Sequence, residues 1–170
     1  MLGQDSIQDF TQGLSQEHML VLEELDMLER ALKAKDLPRI AGTLRFFDEK
    51  VALHRRKEEE ILFPALAKFP PIAHGPIACM LEEHREEKRL LEEIRHSLDA
   101  IEKGGDAWAR LRASVAGVLS LLRAHIMKED KVLFPLAERT LVEEDAAKVR
   151  RRMEEVGYFF GPSAQPRLQG

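Results

Sequence analysis

His54-Arg55-Arg56-Lys57-Glu58-Glu59-Glu60-Ile61-Leu62-Phe63-Pro64 is answered later in the chain by His125-Ile126-Met127-Lys128-Glu129-Asp130-Lys131-Val132-Leu133-Phe134-Pro135. The two stretches align without a gap at an offset of 125 − 54 = 71 residues. His, Glu, Leu, Phe and Pro fall on matching positions, and an acidic residue follows each shared Glu. An imidazole and a carboxylate four residues apart stand one above the other on a helix face. That is how one helix offers two ligands to one metal. A single His-x-x-x-Glu is ordinarily a surface pair, and duplicated amphipathic hairpins repeat without any chemistry. A second, matching pair of histidines decides between these readings.

That pair is His18 and His84. Leu22, Leu25, Leu28 and Leu32 follow the first, and Leu91, Ile94 and Leu98 follow the second. Each half therefore carries an early His on one helix and His-x-x-x-Glu on the next. The early histidines are offset by 84 − 18 = 66 residues, a difference of five that a connecting loop absorbs.

A length of 170 residues predicts one domain with a sizeable core. Hydrophobic residues at 44% with charged residues at 33% are ordinary for a helical globular protein. A net charge of −4 gives no electrostatic case for nucleic acid. No apolar run approaches the ~20 residues that a membrane helix needs. Met1 to Phe10 has neither a basic start nor an apolar run, so no signal peptide is expected. Cys79 is the one cysteine, which excludes an internal disulfide and a thiolate cluster. These features fit a cytoplasmic protein.

The fold expected is all-α, an antiparallel up-down-up-down four-helix bundle with a short extra C-terminal helix. Ser6 or Asp5 caps the first helix, whose inward stripe holds Ile7, Phe10, Leu14, His18, Val21, Leu25 and Leu28. Asp36-Leu37-Pro38 restarts the chain, and Pro64 kinks or ends the second helix. Phe69 to Pro76, with three prolines and a glycine, reads as the loop between halves. Gly104-Gly105 stops the third helix and Asp106 caps the fourth. A polar amphipathic segment from Val142 to Val156 packs outside and ends at Gly157. The bundle occupies 1–157, with 158–170 a disordered tail in which Tyr158-Phe159-Phe160 can patch an apolar surface.

His18, His54, His84, His125, Glu58 and Glu129 all fall on inward stripes. Glu58 stands where the stripe would carry leucine, and a carboxylate there is costly unless paired or metal-bound. Imidazole and carboxylate without thiolate suit iron, manganese or zinc. Six ligands exceed one tetrahedral zinc, and the economical arrangement is two metals bridged by the two glutamates, with two histidines on each.

These residues resemble the hemerythrin-like, or HHE cation-binding, domains. The resemblance covers about Leu14 to Glu138 and rests on His18, His54-x-x-x-Glu58, His84, His125-x-x-x-Glu129 and the acidic-x-x-Leu-Phe-Pro flank. It implies a four-helix bundle holding two iron ions, Fe2+ or Fe3+, with Glu58 and Glu129 bridging and an oxo or hydroxo bridge between them. It implies binding of dioxygen, or reaction with peroxide or nitric oxide. Oxygen-carrying members have a fifth histidine one turn from its partner on the third helix. Here those positions are Met80 and Lys88, which weakens the case for reversible oxygen carriage. Catalase-like peroxide degradation, nitric-oxide reduction and a metal-free helical module stay as alternatives, and whether the chain is an enzyme is open. His74 is a candidate extra ligand from the loop, and His96 is a solvated or rim histidine. Ferritin-like bundles use Glu-x-x-His, the opposite order. The iron-sulfur-repair relatives carry a cysteine-bearing N-terminal domain that this sequence lacks, which weakens that role. Leu22, Leu62 and Leu133, with Phe63 and Phe134, are expected to wall the site. Glu17, Glu83, Glu59 and Glu60 are expected to be surface charges.

Overall fold

The computed structural model describes residues 5–160, with side chains from Thr11 onward. The expected cap of the first helix, its Ile7 and Phe10, and the tail from Gly161 lie outside these side chains and residues. Helix α1 spans Asp5–Ala34. Leu14, His18, Val21, Leu25 and Leu28 are its buried face, at the three-and-four spacing of an apolar stripe. Lys35 then takes a left-handed backbone, φ 55°, and turns the chain. Asp36 accepts from the Arg39 N–H at 3.0 Å and caps α2, with Pro38 in its first turn.

Helix α2 covers 37–66, α3 70–102 and α4 108–140, while α5 is Glu143–Val156. Three of these runs contain π-helical turns: Phe47–Val51 and Glu58–Leu62 in α2, Ala73–Ile77 in α3, and Glu129–Leu133 in α4. A π turn inserts one residue and rotates the following side chains, and such turns favour functional sites. Two of them begin at Glu58 and Glu129.

Three expectations are revised. Pro64 neither ends nor breaks α2, because it sits in the first turn of Phe63–Leu66, just after the π turn. It cannot give the Glu60 carbonyl an N–H, and Arg152 Nη2 of α5 donates to that oxygen at 3.2 Å. The Phe69–Pro76 loop is mostly helix: Pro70–Ile72 makes one turn, and the π turn that follows holds Pro76 before Ala78–Glu102. Pro70 and Pro71, at the helix start, have no hydrogen bond to lose, whereas Pro76 lies inside the π turn. Asp106 does not cap α4, since Ala107 holds the cap position without a side-chain bond. Gly104 at φ 82° closes the preceding turn, and a Cβ on Gly105 would meet the Ala100 carbonyl oxygen at 2.9 Å.

The apolar core is two clusters rather than one. The first gathers Leu25, Leu28, Phe47, Ile94, Leu111 and Val115; the second gathers Leu62, Phe63, Leu66, Phe134, Ala137 and Met153. Along α1 the chain passes from Leu14 in the second cluster to Val21 in the first, and along α2 it returns from Val51 to Ile61. It repeats this from Met80 to Leu90 in α3 and from Ile126 to Leu133 in α4. That is the up-down-up-down bundle. His18, the His54–Glu58 pair, His84 and the His125–Glu129 pair all lie between the clusters, as one polar layer. Among the described residues no helix is long and apolar enough to cross a membrane.

Candidate metal centre

All six predicted residues are buried and meet in that layer. His18, His54, Glu58 and Glu129 bring one ligand atom each within 4.8 Å of one another. Glu58, His84, His125 and Glu129 do the same, so the two glutamates are shared. His18 Nε2 lies 3.0 Å from His54 Nε2 and 3.1 Å from Glu129 Oε2. His54 Nε2 lies 3.1 Å from Glu58 Oε1. On the other side His84 Nε2 is 3.2 Å from His125 Nε2 and 3.3 Å from Glu58 Oε2, and His125 Nε2 is 3.3 Å from Glu129 Oε1. Donors that share one metal at about 2.1 Å and near right angles stand about 3.0 Å apart. Each glutamate thus sends one oxygen to each histidine pair.

Hydrogen bonding does not account for this packing. Among the described residues, all four oxygens of Glu58 and Glu129 are buried with no hydrogen-bond partner. Leaving a buried carboxylate unsatisfied is among the costliest arrangements in a protein interior. One cation at each imidazole pair would satisfy one oxygen of each glutamate, and two would satisfy all four, so the donor set fits a two-metal group.

The outer ring nitrogens are equally ordered. His18 Nδ1 lies 2.9 Å from Asp130 Oδ1, and His54 Nδ1 lies 2.7 Å from Glu17 Oε2. His84 Nδ1 meets Glu59 Oε1 and His125 Nδ1 meets Glu83 Oε2, both at 2.8 Å. A carboxylate at Nδ1 keeps the proton there and turns the Nε2 lone pair inward. The partners obey the same repeat: Glu17 and Glu83 hold the late histidine of their own half, while Glu59 and Asp130 hold the early histidine of the other half.

Glu17, Glu83 and Glu59 are therefore not surface charges. Glu17 is fully buried, and Glu83 and Glu59 are half-buried. A position rotated about 100° from the inward stripe faces a neighbouring helix in a bundle, not solvent. Glu60 is exposed, as expected. Asp130 gave a sequence signal only as the acidic match to Glu59. Lys57, buried three residues after His54, gave none. Its Nζ donates to Glu17 Oε1 at 2.5 Å and to the Gly157 carbonyl at 2.7 Å. The Tyr158 ring lies 4.1 Å from that ammonium, and the Phe159 N–H donates to Glu17 at 3.2 Å.

His74 is exposed on α3 and joins no ligand group among the described residues. His96 is exposed beside Glu92. Met80 is buried and Lys88 exposed, and neither joins a ligand group. Phe134 stacks on His18 with centroids 5.4 Å apart, and Phe63 on His84 at 5.9 Å. A cavity of about 20 Å³ opens on the opposite side, room for roughly one water-sized molecule. Its walls include Val21, Val51, Leu122 and Ile126, with Arg55 and Glu87 beside the four histidines. Val21 takes the place expected for Leu22, which packs in the first core cluster instead.

Charge follows geometry. Burial disfavours imidazolium, but Glu58 and Glu17 outweigh it and push His54 up to about 10. Glu129, Glu58 and Glu83 likewise overcome burial and raise His125 to about 9. Burial would lift the Glu58 carboxyl, yet His54 and His84 hold it well below the usual range. The layer attracts positive charge, whether protons or metal.

A model of the hemerythrin HHE cation binding domain matches residues 9–137. The chain belongs to that family. It is 38% identical over 102 residues to the iron-sulfur cluster repair protein YtfE of Enterobacter sp. (strain 638), covering 58% of this chain and 46% of that protein. Against the protein of the same name from Escherichia coli O1:K1 / APEC it is 37% identical over 98 residues, 55% of this chain and 44% of the relative. This HHE chain thus spans about half the length of the curated relatives it matches.

Proposed function

We propose that His18, His54, His84 and His125 hold two iron ions bridged by Glu58 and Glu129, and that the pair reacts with dioxygen, peroxide or nitric oxide. The observation that supports this is the set of four buried, unpartnered glutamate oxygens within 3.3 Å of the imidazole Nε2 atoms. When bound, the iron pair supplies the redox chemistry toward such a ligand. The chain's residues do the rest. Four carboxylates fix the imidazole rings and their tautomers. Phe63 and Phe134 close one side, and the cavity opposite admits one small molecule. The two glutamates balance the charge of two cations in a layer screened from water by apolar clusters above and below.

Iron content and the visible spectrum of aerobically purified protein test this directly. Two irons per chain are expected, and peroxide consumption with release of dioxygen would mark the site as an enzyme. A stable adduct would mark it as a binding site. His54→Ala and Glu129→Ala should each lose most of the iron. Two irons kept by both variants would sink the ligand assignment. The similarity to proteins named for iron-sulfur cluster repair supports a second reading, in which the site serves that repair. Iron passing from the loaded protein to a cluster-free iron-sulfur protein, and not to a chelator of equal affinity, would favour it.

A further inference from the structure

The cavity beside the six ligands is built on the sequence repeat, and it breaks the repeat at one place. Its four histidines pair as His18 with His84 and His54 with His125. Val51 pairs with Leu122, since 122 − 51 = 71, and the chemistry is again conserved between halves. Two pairs differ. Val21 corresponds to Glu87 at 87 − 21 = 66, and Ile126 corresponds to Arg55 at 126 − 55 = 71. The two departures meet each other: Arg55 Nη1 donates to Glu87 Oε1 at 2.5 Å, with Glu87 only 1% exposed.

A buried ion pair is a poor source of stability, and apolar residues of similar size commonly do as well or better. The other half of this bundle fills the same two positions with Val and Ile, so packing does not demand the charges. Their place on the cavity wall gives them a different use. A guanidinium carries five N–H donors, and a carboxylate accepts at two oxygens. Together they present a donor and an acceptor to whatever small molecule enters. Peroxide is the ligand class that matches both, because it offers an O–H and a free oxygen. A neutral diatomic offers neither a proton nor a charge.

We infer that Arg55 and Glu87 are specificity-determining residues that hydrogen-bond the outer atom of a small polar ligand of the peroxide class in this cavity. The inference rests on the two-iron reading above. The test uses the iron-loaded 170-residue chain titrated with azide, a small anion that accepts but does not donate, followed by the visible spectrum. Arg55→Ile with Glu87→Val copies the other half of the bundle. It should keep two irons and bind azide at least tenfold more weakly, while nitric oxide binding changes less than twofold. Glu87→Gln should move the other way, binding azide several-fold more tightly, because it releases guanidinium donors to the anion. Iron retained with azide affinity unchanged in both variants would overturn the role of the pair and leave the metal site standing. Wild-type protein that takes up no iron would overturn both.

Discussion

Asp130 is joined to His18 Nδ1 and also accepts from Ser15 Oγ at 2.6 Å, so its carboxylate is fixed before any metal arrives. Asp130→Asn keeps the size and removes the charge. Losing such a partner costs metal affinity about 10–100-fold. Competition against a chelator should show a loss in that range, with all six inner residues intact. Affinity within twofold of wild type would reduce the four outer carboxylates to packing. Glu59→Gln should behave alike on His84, because the repeat gives it the same task.

The elements make the two halves unequal in a way the residues alone do not. Lys57 and Lys128 are matched by the repeat, and each pairs with the carboxylate on a late histidine, Glu17 or Glu83. Lys57 is sealed under the end of α5 and Gly157–Phe159, whereas Lys128 remains 37% exposed. Removing one partner of a buried pair costs about 3–5 kcal/mol. At a surface the same deletion costs about 0–1 kcal/mol. Lys57→Ala should therefore shift the urea midpoint of the metal-free protein strongly, and Lys128→Ala hardly at all. Equal shifts would mean that the C-terminal segment does not seal the site.

The whole molecule should respond to pH with opposite signs in its two metal states. His54 and His125 are raised in the folded metal-free chain to about 10 and about 9, above the ordinary histidine value of 6.5. A group raised on folding adds stability in full below its unfolded value and loses it as pH climbs through the folded one. Thermal melts of the metal-free protein should therefore weaken between about pH 6.5 and 10. Metal binding instead needs the imidazole Nε2 atoms free of protons, so affinity should strengthen as pH rises over the same window. Adding iron at 100-fold over Kd should then stabilise the fold by about 2.7 kcal/mol. A metal-free melting temperature that rises with pH across this range would contradict the charge assignment.

Periodicity and a gapless repeat determined the bundle and its six inner residues, because a helix carries side chains at three-and-four spacing wherever it packs. His18, His54, Glu58, His84, His125 and Glu129 were all legible as inward positions that carry polar groups. The outer layer was not. Glu17, Glu59 and Glu83 sit beside the stripe, and only the neighbouring helix decides whether such a position meets water or an imidazole. Lys57 reads as a surface lysine until the segment after α5, 100 residues on at Gly157, closes over it. Glu87 fills the gap between His84 and Leu91 on the stripe of α3, a signal present in the sequence. Its meaning comes from Arg55 on another helix, a contact 32 residues away that tertiary packing alone creates. The π turns at Glu58 and Glu129 belong to the same class, since spacing cannot show one extra residue in a turn that the packed layer requires.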